Sequence, residues 1–337
     1  MTPQPGNKTF REETPMTTKF ARALRAGALM TLLGATSATA AECIAPANPG
    51  GGWDFTCRQI ARILQEIGVE QNLVQVTNMA GAGGGVAYTH VVSQRDADAD
   101  LIVAASSATT TRLAQNAFAG MTADQVRWVG TIGGDPGVIV VGKDSPFQTL
   151  ADLIAAVKAD PSKVAFAGGS AVGGFDHLKV LMLMDRADFK EARAIKYIGL
   201  DGGADAITQT VGGFTQAMTG DISEIQGFIR SGDVRALAVL AEERVAGFET
   251  IPTAKEQGVD LVAMNWRGLY APKGISDDQF ARWTAALQKV ADSDQWKQVM
   301  ADNGLAPYTL IGADFEGFVA DNIAEIQKIS REIGIIQ

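Results

Sequence analysis

The chain carries 29 Lys and Arg against 38 Asp and Glu in 337 residues, of which 46% are hydrophobic. Leaving out residues 1–41, with five basic and two acidic side chains, 24 basic and 36 acidic side chains remain, a formal charge of −12. That balance argues against nucleic acid or anionic lipid as a partner, yet leaves room for a small anionic ligand, because backbone N–H groups and helix N-termini can make a cleft locally positive within an acidic surface.

Lys19, Arg22 and Arg25 precede a mostly apolar run over 26–33 and a tail of small residues ending in Ala38-Thr39-Ala40. This is the pattern of a secretory signal, with cleavage expected after Ala40 or Ala41 and the periplasm as destination. The apolar run is shorter than the ~20 residues a membrane span needs. Met16 stands where such a signal would begin, so residues 1–15 read as an upstream extension. The expected mature chain, roughly 300 residues, exceeds what one core usually serves, and two lobes are expected. Cys43 and Cys57 are the only cysteines. An oxidising compartment favours a disulfide between them. The spacing pulls the other way: four strand residues span ~13 Å, against a ~7 Å limit on the Cα separation, unless the intervening helix folds back closely. His90 and His177 belong to no spaced ligand motif, and neither a metal nor a cofactor is expected.

In chain order, the first expected strand runs from Cys43 into Pro46-Ala47-Asn48-Pro49-Gly50-Gly51-Gly52-Trp53-Asp54, with a helix from Phe55. Three consecutive glycines allow the backbone N–H groups to turn toward an anion, and Asp54 is placed to cap the helix; an ordinary strand-to-helix turn would use the same residues. A second glycine loop, Asn78-Met79-Ala80-Gly81-Ala82-Gly83-Gly84-Gly85, also joins a strand to a helix. It fails as a dinucleotide fingerprint, because Val86 or Tyr88 occupies the last glycine position in either register, and no phosphate loop with Gly-Lys-Ser/Thr occurs. A strand at 101–105 leads through Ser106-Ser107-Ala108-Thr109 into a helix over 109–118. An apolar strand at 137–141 is expected to carry the chain into a second lobe. There a helix over 150–159 stops at Asp160-Pro161, and a strand at 164–167 opens into Gly168-Gly169-Ser170 and Gly173-Gly174. A strand at 195–200 ends in Asp201-Gly202-Gly203-Ala204, and a strand at 236–240 precedes a polar helix. A strand at 265–270 carries the chain back. The expected organisation is lobe one over 42–141 and 265–337, lobe two over 142–264, each an α/β layer structure with largely parallel strands. Polar strand ends facing a crevice are where such folds bind ligands. Ser170, His177 and Asp221 could be assembled on paper into a hydrolytic set, but no Gly-x-Ser-x-Gly elbow is present, and no enzymatic activity is expected.

Taken together and in this order, these segments resemble the substrate-binding proteins of tripartite tricarboxylate transporters, the family that includes the Bug proteins. The match runs through the first loop, through Asn78 with 81–84, through Ser106, Ser107 and Thr109, through His177-Leu178, through Gly232-Asp233-Val234-Arg235-Ala236-Leu237-Ala238-Val239, through Pro252-Thr253 and through 266–272. The resemblance implies a type II periplasmic-binding fold. Its two α/β lobes are joined by crossing strands, and the loops after the first strand and after 195–200 pinch a carboxylate in the cleft. Carried onto this sequence, the ligand-binding residues are Gly50, Gly51, Gly52, Trp53 and Asp54; Asn78, Gly81, Ala82 and Gly83; Ser106, Ser107 and Thr109; Gly169 and Ser170; Asp201, Gly202, Gly203 and Ala204; Asp221; and Arg267. Asp201 stands where the family often has Lys, Gly220-Asp221 where Asp-Asn is common, and Trp53 where a small polar residue is frequent. Cys43 with Cys57 and Asn265-Trp266-Arg267-Gly268 look like the branch that takes tricarboxylates such as citrate. Strand alternation lets only one of Trp266 and Arg267 face the cleft, and Arg267 is expected to grip a distal carboxylate with its planar fork. The resemblance further implies a monomer that hands a small di- or tricarboxylate to inner-membrane transporter subunits, with a sensor reporting to a membrane kinase as the alternative.

Overall fold

The structure is a computed structural model that describes residues 41–337; the expected signal segment lies outside the described residues. The chain begins with β1 (Glu42–Ala45), α1 (Gly52–Glu66), β2 (Gln75–Asn78), α2 (Gly85–Gln94), β3 (Leu101–Ser106) and α3 (Ser107–Ala114). A 17-residue strand, β4 (Val126–Gly142), leads into α4 (Leu150–Ala159), β5 (Ala165–Gly168), α5 (Phe175–Arg186), β6 (Lys196–Gly199), α6 (Gly203–Val211), β7 (Ala217–Asp221), α7 (Ile222–Ser231) and β8 (Val234–Leu240). The return strand β9 (Met264–Pro272) is followed by α8 (Asp277–Asp292), α9 (Asp294–Asn303), β10 (Leu310–Ile311) and α10 (Ala313–Glu332).

Two parallel sets of strands, β2-β1-β3 and β6-β5-β7, are joined by the antiparallel pair β4 and β9. From Val126 to Pro136, β4 pairs with β9; from Gly137 onward it pairs with β7 on one side and β8 on the other. Strand β9 in turn pairs with β3. The expected strand at 137–141 is therefore only the last third of β4, the part already inside the second sheet.

Alternation along the strands divides each lobe into two cores. Cys43, Ala45, Ile102 and Ala104 face α1, α8 and α9, where Trp283 and Trp296 are buried. Ile44, Leu101, Val103 and Ala105 face the other way, toward Tyr88, Trp128, Trp266 and Phe315. In the second lobe Ile139 and Val141 pack with Phe166 and the buried side of α4 and α5, while Val138 and Val140 pack with Met218, Ile207 and Ile225. Helix α1 buries Cys57, Ile60, Ala61 and Leu64, the spacing of one helical face, and keeps Arg62 and Glu66 outside as an ion pair.

Three local expectations change. Helix α1 starts at Gly52, three residues ahead of Phe55, so Asp54 lies inside the first turn and does not cap it. The helix after β3 begins at Ser107 and ends at Ala114, where Asn116 and Ala119 take positive φ values of 52° and 48° and turn the chain away. The stretch after β8 forms turns and no polar helix: Gly247 has φ +79°, and Val245, Phe248 and Ile251 fold under α7 as part of its apolar cluster.

Cys43 and Cys57 are disulfide-bonded with a Cα separation of 5.7 Å. The separation measured along the strand does not apply, because α1 doubles back over the face of β1 and both residues enter the same core. The 14-residue separation closed by the bond corresponds to about 3 kcal/mol of chain-entropy stabilisation. Replacing both cysteines by alanine is expected to lower the unfolding free energy by about 2–4 kcal/mol in urea titrations; an unchanged midpoint, or two titratable thiols in the denatured unreduced protein, would contradict the bond.

Candidate functional site

The cleft between the lobes is walled by loops at the ends of parallel strands and by the helices that leave them. Four helix N-termini converge there: α1 at Gly52, α3 beginning after Ser106, α6 beginning after Gly202 and α7 beginning after Asp221. Each brings the positive end of a helix dipole, with the Gly52 N–H of α1, the Ala108 N–H of α3 and the Ser223 N–H of α7 already held by Glu224, Ser106 and Asp135. The loop after β1 meets the loop after β6 across the opening. Asn48 donates its backbone N–H to the Asp201 carbonyl at 3.1 Å and its Nδ2 to Asp205 at 2.8 Å. Glycine is required at this meeting: Gly50 has φ +86° and Gly202 φ +156°, and a Cβ on Gly50 would stand 3.3 Å from the Ala204 Cβ. Trp53 forms one wall and donates Nε1–H to Ser106 Oγ at 3.1 Å. The remaining space is about 40 Å³, room for a few waters.

Beneath the loops lies a buried charge cluster. Arg267 donates from Nε and Nη2 to Asp135 Oδ2 at 3.1 and 2.6 Å, and from Nη2 to Asp221 Oδ2 at 2.9 Å. Lys179 donates to Asp176 at 2.9 Å, to the Gly220 carbonyl at 3.0 Å, and to Asp221. Asn265 Nδ2 donates to Asp221 Oδ2 at 2.6 Å. Ser223 supplies its hydroxyl and backbone N–H to Asp135. Glu224 Oε1 accepts the Gly52 N–H at 2.6 Å, which links α7 to the first turn of α1. Burial pushes the Asp135 and Asp176 carboxyls upward, against the pull of Arg267 and Lys179 respectively. Burial alone would lower Lys179, but Asp176 and Asp221 outweigh it and hold the ammonium charged. Glu224 is raised to about 8 by burial, with the charge of Asp221 adding to it.

Of the residues expected at the site, the structure places Gly52, Trp53, Gly83 and Ser106 on the first-lobe wall and Gly169, Ser170, Asp201 and Gly202 opposite them, with Asp221 and Arg267 at the floor. The others stand behind. Asp54 accepts the Gly50 N–H at 2.9 Å, pairs with Arg58, and accepts Asn78 Nδ2 at 2.9 Å, so Asp54 and Asn78 brace the first loop from outside the cleft. Burial would raise Asp54, but the hydrogen bonds from Arg58, Gly50 and Asn78 carry it below the usual carboxylate range. Ser107 joins α3 to β9 through the Met264 carbonyl and the Trp266 N–H, both at 3.3 Å, and Thr109 accepts the Ser106 N–H at 3.3 Å as half of a capping box. Gly81 and Ala82 shape the turn behind Gly83, with φ +125° and +52°. Gly50 and Gly51 form the back of the first loop, and Gly203 and Ala204 open α6, where Ala204 abuts Gly50. Sequence reasoning missed Asp176, Glu224 and Asn265 on the wall, along with Pro46, Ala47, Ala108 and Leu200.

The geometry also revises the role expected of Arg267. Its Nε–Nη2 edge is committed to Asp135 and Asp221, so the planar fork is not offered to a distal carboxylate; Nη1 lies against Gly52, where a Cβ would stand 2.2 Å from it. Trp266 faces the opposite core, as alternation requires. Ser170, His177 and Asp221 have separate partners: Ser170 Oγ accepts the Asp176 N–H at 3.0 Å, His177 Nδ1 accepts the Gly173 N–H at 2.9 Å while its ring stacks on Tyr197, and Asp221 serves Lys179 and Arg267.

Two α/β lobes joined by crossing strands around a cleft of helix N-termini define a type II periplasmic-binding fold. Solved structures agree: MatC of Rhodopseudomonas palustris with bound malate has a TM-score of 0.75 at 21% identity, covering 86% of this chain and 98% of that one. A second R. palustris protein, solved with adipate, reaches 0.79 at 21% (88% and 97%), and the periplasmic binding protein BugD reaches 0.79 at 22% (88% and 98%). The chain belongs to the tripartite tricarboxylate transporter family receptors, which match over residues 57–335. BugT of Bordetella pertussis is 30% identical over 297 residues, covering 87% of this chain and 89% of that protein.

The cluster generates two expected outcomes. Arg267→Met would leave Asp135 buried without its cation, and an expected loss of about 3–5 kcal/mol in unfolding free energy should be partly recovered by adding Asp135→Asn; a loss below about 1 kcal/mol would show the pair to be structurally idle. The second concerns pH. With Glu224 raised from 4.5 to about 8, the unfolded chain gives up this proton in that window while the folded chain keeps it, and stability falls as pH rises toward 8. His177, lowered by burial from 6.5 to about 4, acts oppositely: the unfolded chain protonates below about 6.5, so stability rises with pH between those values. The fall due to Glu224 is therefore free of His177 above about pH 6.5. Urea titrations of the ligand-free protein between pH 6.5 and 8 should show a decline that Glu224→Gln flattens; identical pH profiles would mean that Glu224 ionises normally.

Proposed function

We propose that the chain is an exported, periplasmic solute-binding protein that captures a small di- or tricarboxylate by closure of its lobes and delivers it to a tripartite transporter in the inner membrane. The observation that carries this reading is the convergence of four helix N-termini on one narrow cleft, an arrangement suited to a small anion. Membership of a transporter-receptor family supports the delivery step, and the malate and adipate bound by structural neighbours support the ligand class. Among the described residues no helix is long and apolar enough to cross a membrane. Because the facing loops touch and about 40 Å³ remains between them, ligand entry requires the lobes to part, with β4 and β9 as the connections that flex. The lobe boundaries expected at 141/142 and 264/265 belong to this proposal, with β4 changing partners at Pro136.

A panel of small carboxylates in thermal and urea unfolding tests it. A cognate ligand at 100-fold its Kd is expected to stabilise the protein by about 2.7 kcal/mol. Stabilisation by sugars or cations alone, with none from any carboxylate, would overturn it.

A further inference from the structure

The cleft floor holds more acceptors than a receptor for plain carboxylates needs. Among the described residues, Asp135, Asp176, Asp221 and Glu224 surround only two cations, Lys179 and Arg267. The three aspartates account for both. Glu224 forms no ion pair with a described residue: Oε1 takes the Gly52 N–H, and Oε2 lies beside Gly203, so close that a Cβ there would be 2.3 Å away. In the ligand-free cleft this carboxyl, raised to about 8, is mostly protonated at neutral pH, and a cation beside it would bring it to its charged form.

A second observation comes from β9. Asn265 is 5% exposed and lines the same cleft. Its Nδ2 donates to Asp221, which fixes the amide, since turning it over would set two oxygens against each other. Its Oδ1 is thereby left buried with no hydrogen-bond partner among the described residues. Buried acceptors are almost always satisfied, so this one calls for a donor from within the cleft, a water or a group of the ligand.

We infer that Glu224 and Asn265 receive an ammonium group of the ligand, so that the preferred solute is a small amino-bearing carboxylate. The inference rests on the carboxylate reading above and narrows it. Helix N-termini hold the carboxylate end, and the two acceptors hold the cationic end. A third carboxylate set on this floor would face Glu224 and Asp221.

Calorimetry with matched pairs that differ by one amino group, succinate against aspartate and glutarate against glutamate, tests it on the purified protein. The amino-bearing member of at least one pair is expected to bind about tenfold tighter or more, the size of one charge-assisted hydrogen bond. Glu224→Gln should reduce that ratio by a similar factor, and Asn265→Ala provides the same reading if the first variant is unstable. Equal or tighter binding of both plain dicarboxylates to the unaltered protein would overturn the inference and leave the carboxylate reading intact, as would a preference that survives both substitutions. Binding of putrescine that depends on Glu224, with no carboxylate bound at all, would overturn the carboxylate reading while keeping the acceptor floor. No binding by any probe would sink both.

Discussion

The ion network centred on Arg267 and Asp221 is the constraint on which the arrangement of the lobes depends. Arg267 comes from β9, Asp135 from β4, Asp221 from the end of β7, and Lys179 from α5, so three strands and a helix meet in one buried knot. Arg267 and Asp221 are each 2% exposed, and Asp135 and Lys179 not at all. Ions held this far from water are tolerated only when every partner is in place, and removing one strands the others. A network of this kind adds little net stability over an apolar core of equal volume, but it fixes which strand ends are allowed to meet. It also sits where β4 changes partners. Pro136 has no N–H to give to the ladder, and the next donor, Gly137, reaches the Ala263 carbonyl at 2.9 Å as the strand leaves β9 for β7 and β8.

The sequence exposed those features whose signal is local. Strand-to-helix loops announce themselves through glycine runs, and the apolar runs at 101–105 and 236–240 fell inside β3 and β8 with small shifts in their ends. Helix α4 was legible to the residue, because Thr149 and Asp152 form a capping box at one end and Asp160-Pro161 stops it at the other. The long strand β4 was not. Only 137–141 reads as an apolar run, whereas 126–136 includes Arg127, Thr131, three glycines and Asp135, residues that a strand accepts here because β9 pairs along its whole length.

The site was legible in outline and not in its charges. Asp176 and Glu224 each lie one to three residues beyond a segment the sequence singled out, in the first turn of a helix. From spacing alone, an acid in a first turn is the ordinary partner of its own helix dipole. Whether it faces the dipole or the cleft is decided by the other lobe, whose Gly52 N–H reaches Glu224 across 172 residues of chain. The same blindness produced the role first expected of Arg267. A lone arginine on a crossing strand offers a fork to a ligand only if nothing else takes it, and that Asp135, two residues along β4 from the Gly133 that pairs with Arg267, comes within reach of it is visible only once the β4–β9 register is known.

These acids also give the cleft a direction. Helices α5 and α7 carry Asp176, Asp221 and Glu224 in or just before their first turns, so the positive ends of their dipoles are already answered from within the protein. Helix α3 is capped by the neutral hydroxyl of Ser106, and α6 has glycine at its N-cap with no side-chain cap; its first-turn Asp205 is exposed and turned toward Asn48. With α1 answered by Glu224 at the Gly52 N–H, the dipoles left without a buried acid are those of α3 and α6, on opposite walls of the cleft, while the floor beneath them presents acceptors. On the carboxylate reading proposed above, an anion between the loops would lie between the ends of α3 and α6 and away from the acid-lined floor, so the lobes would close on it in a preferred orientation.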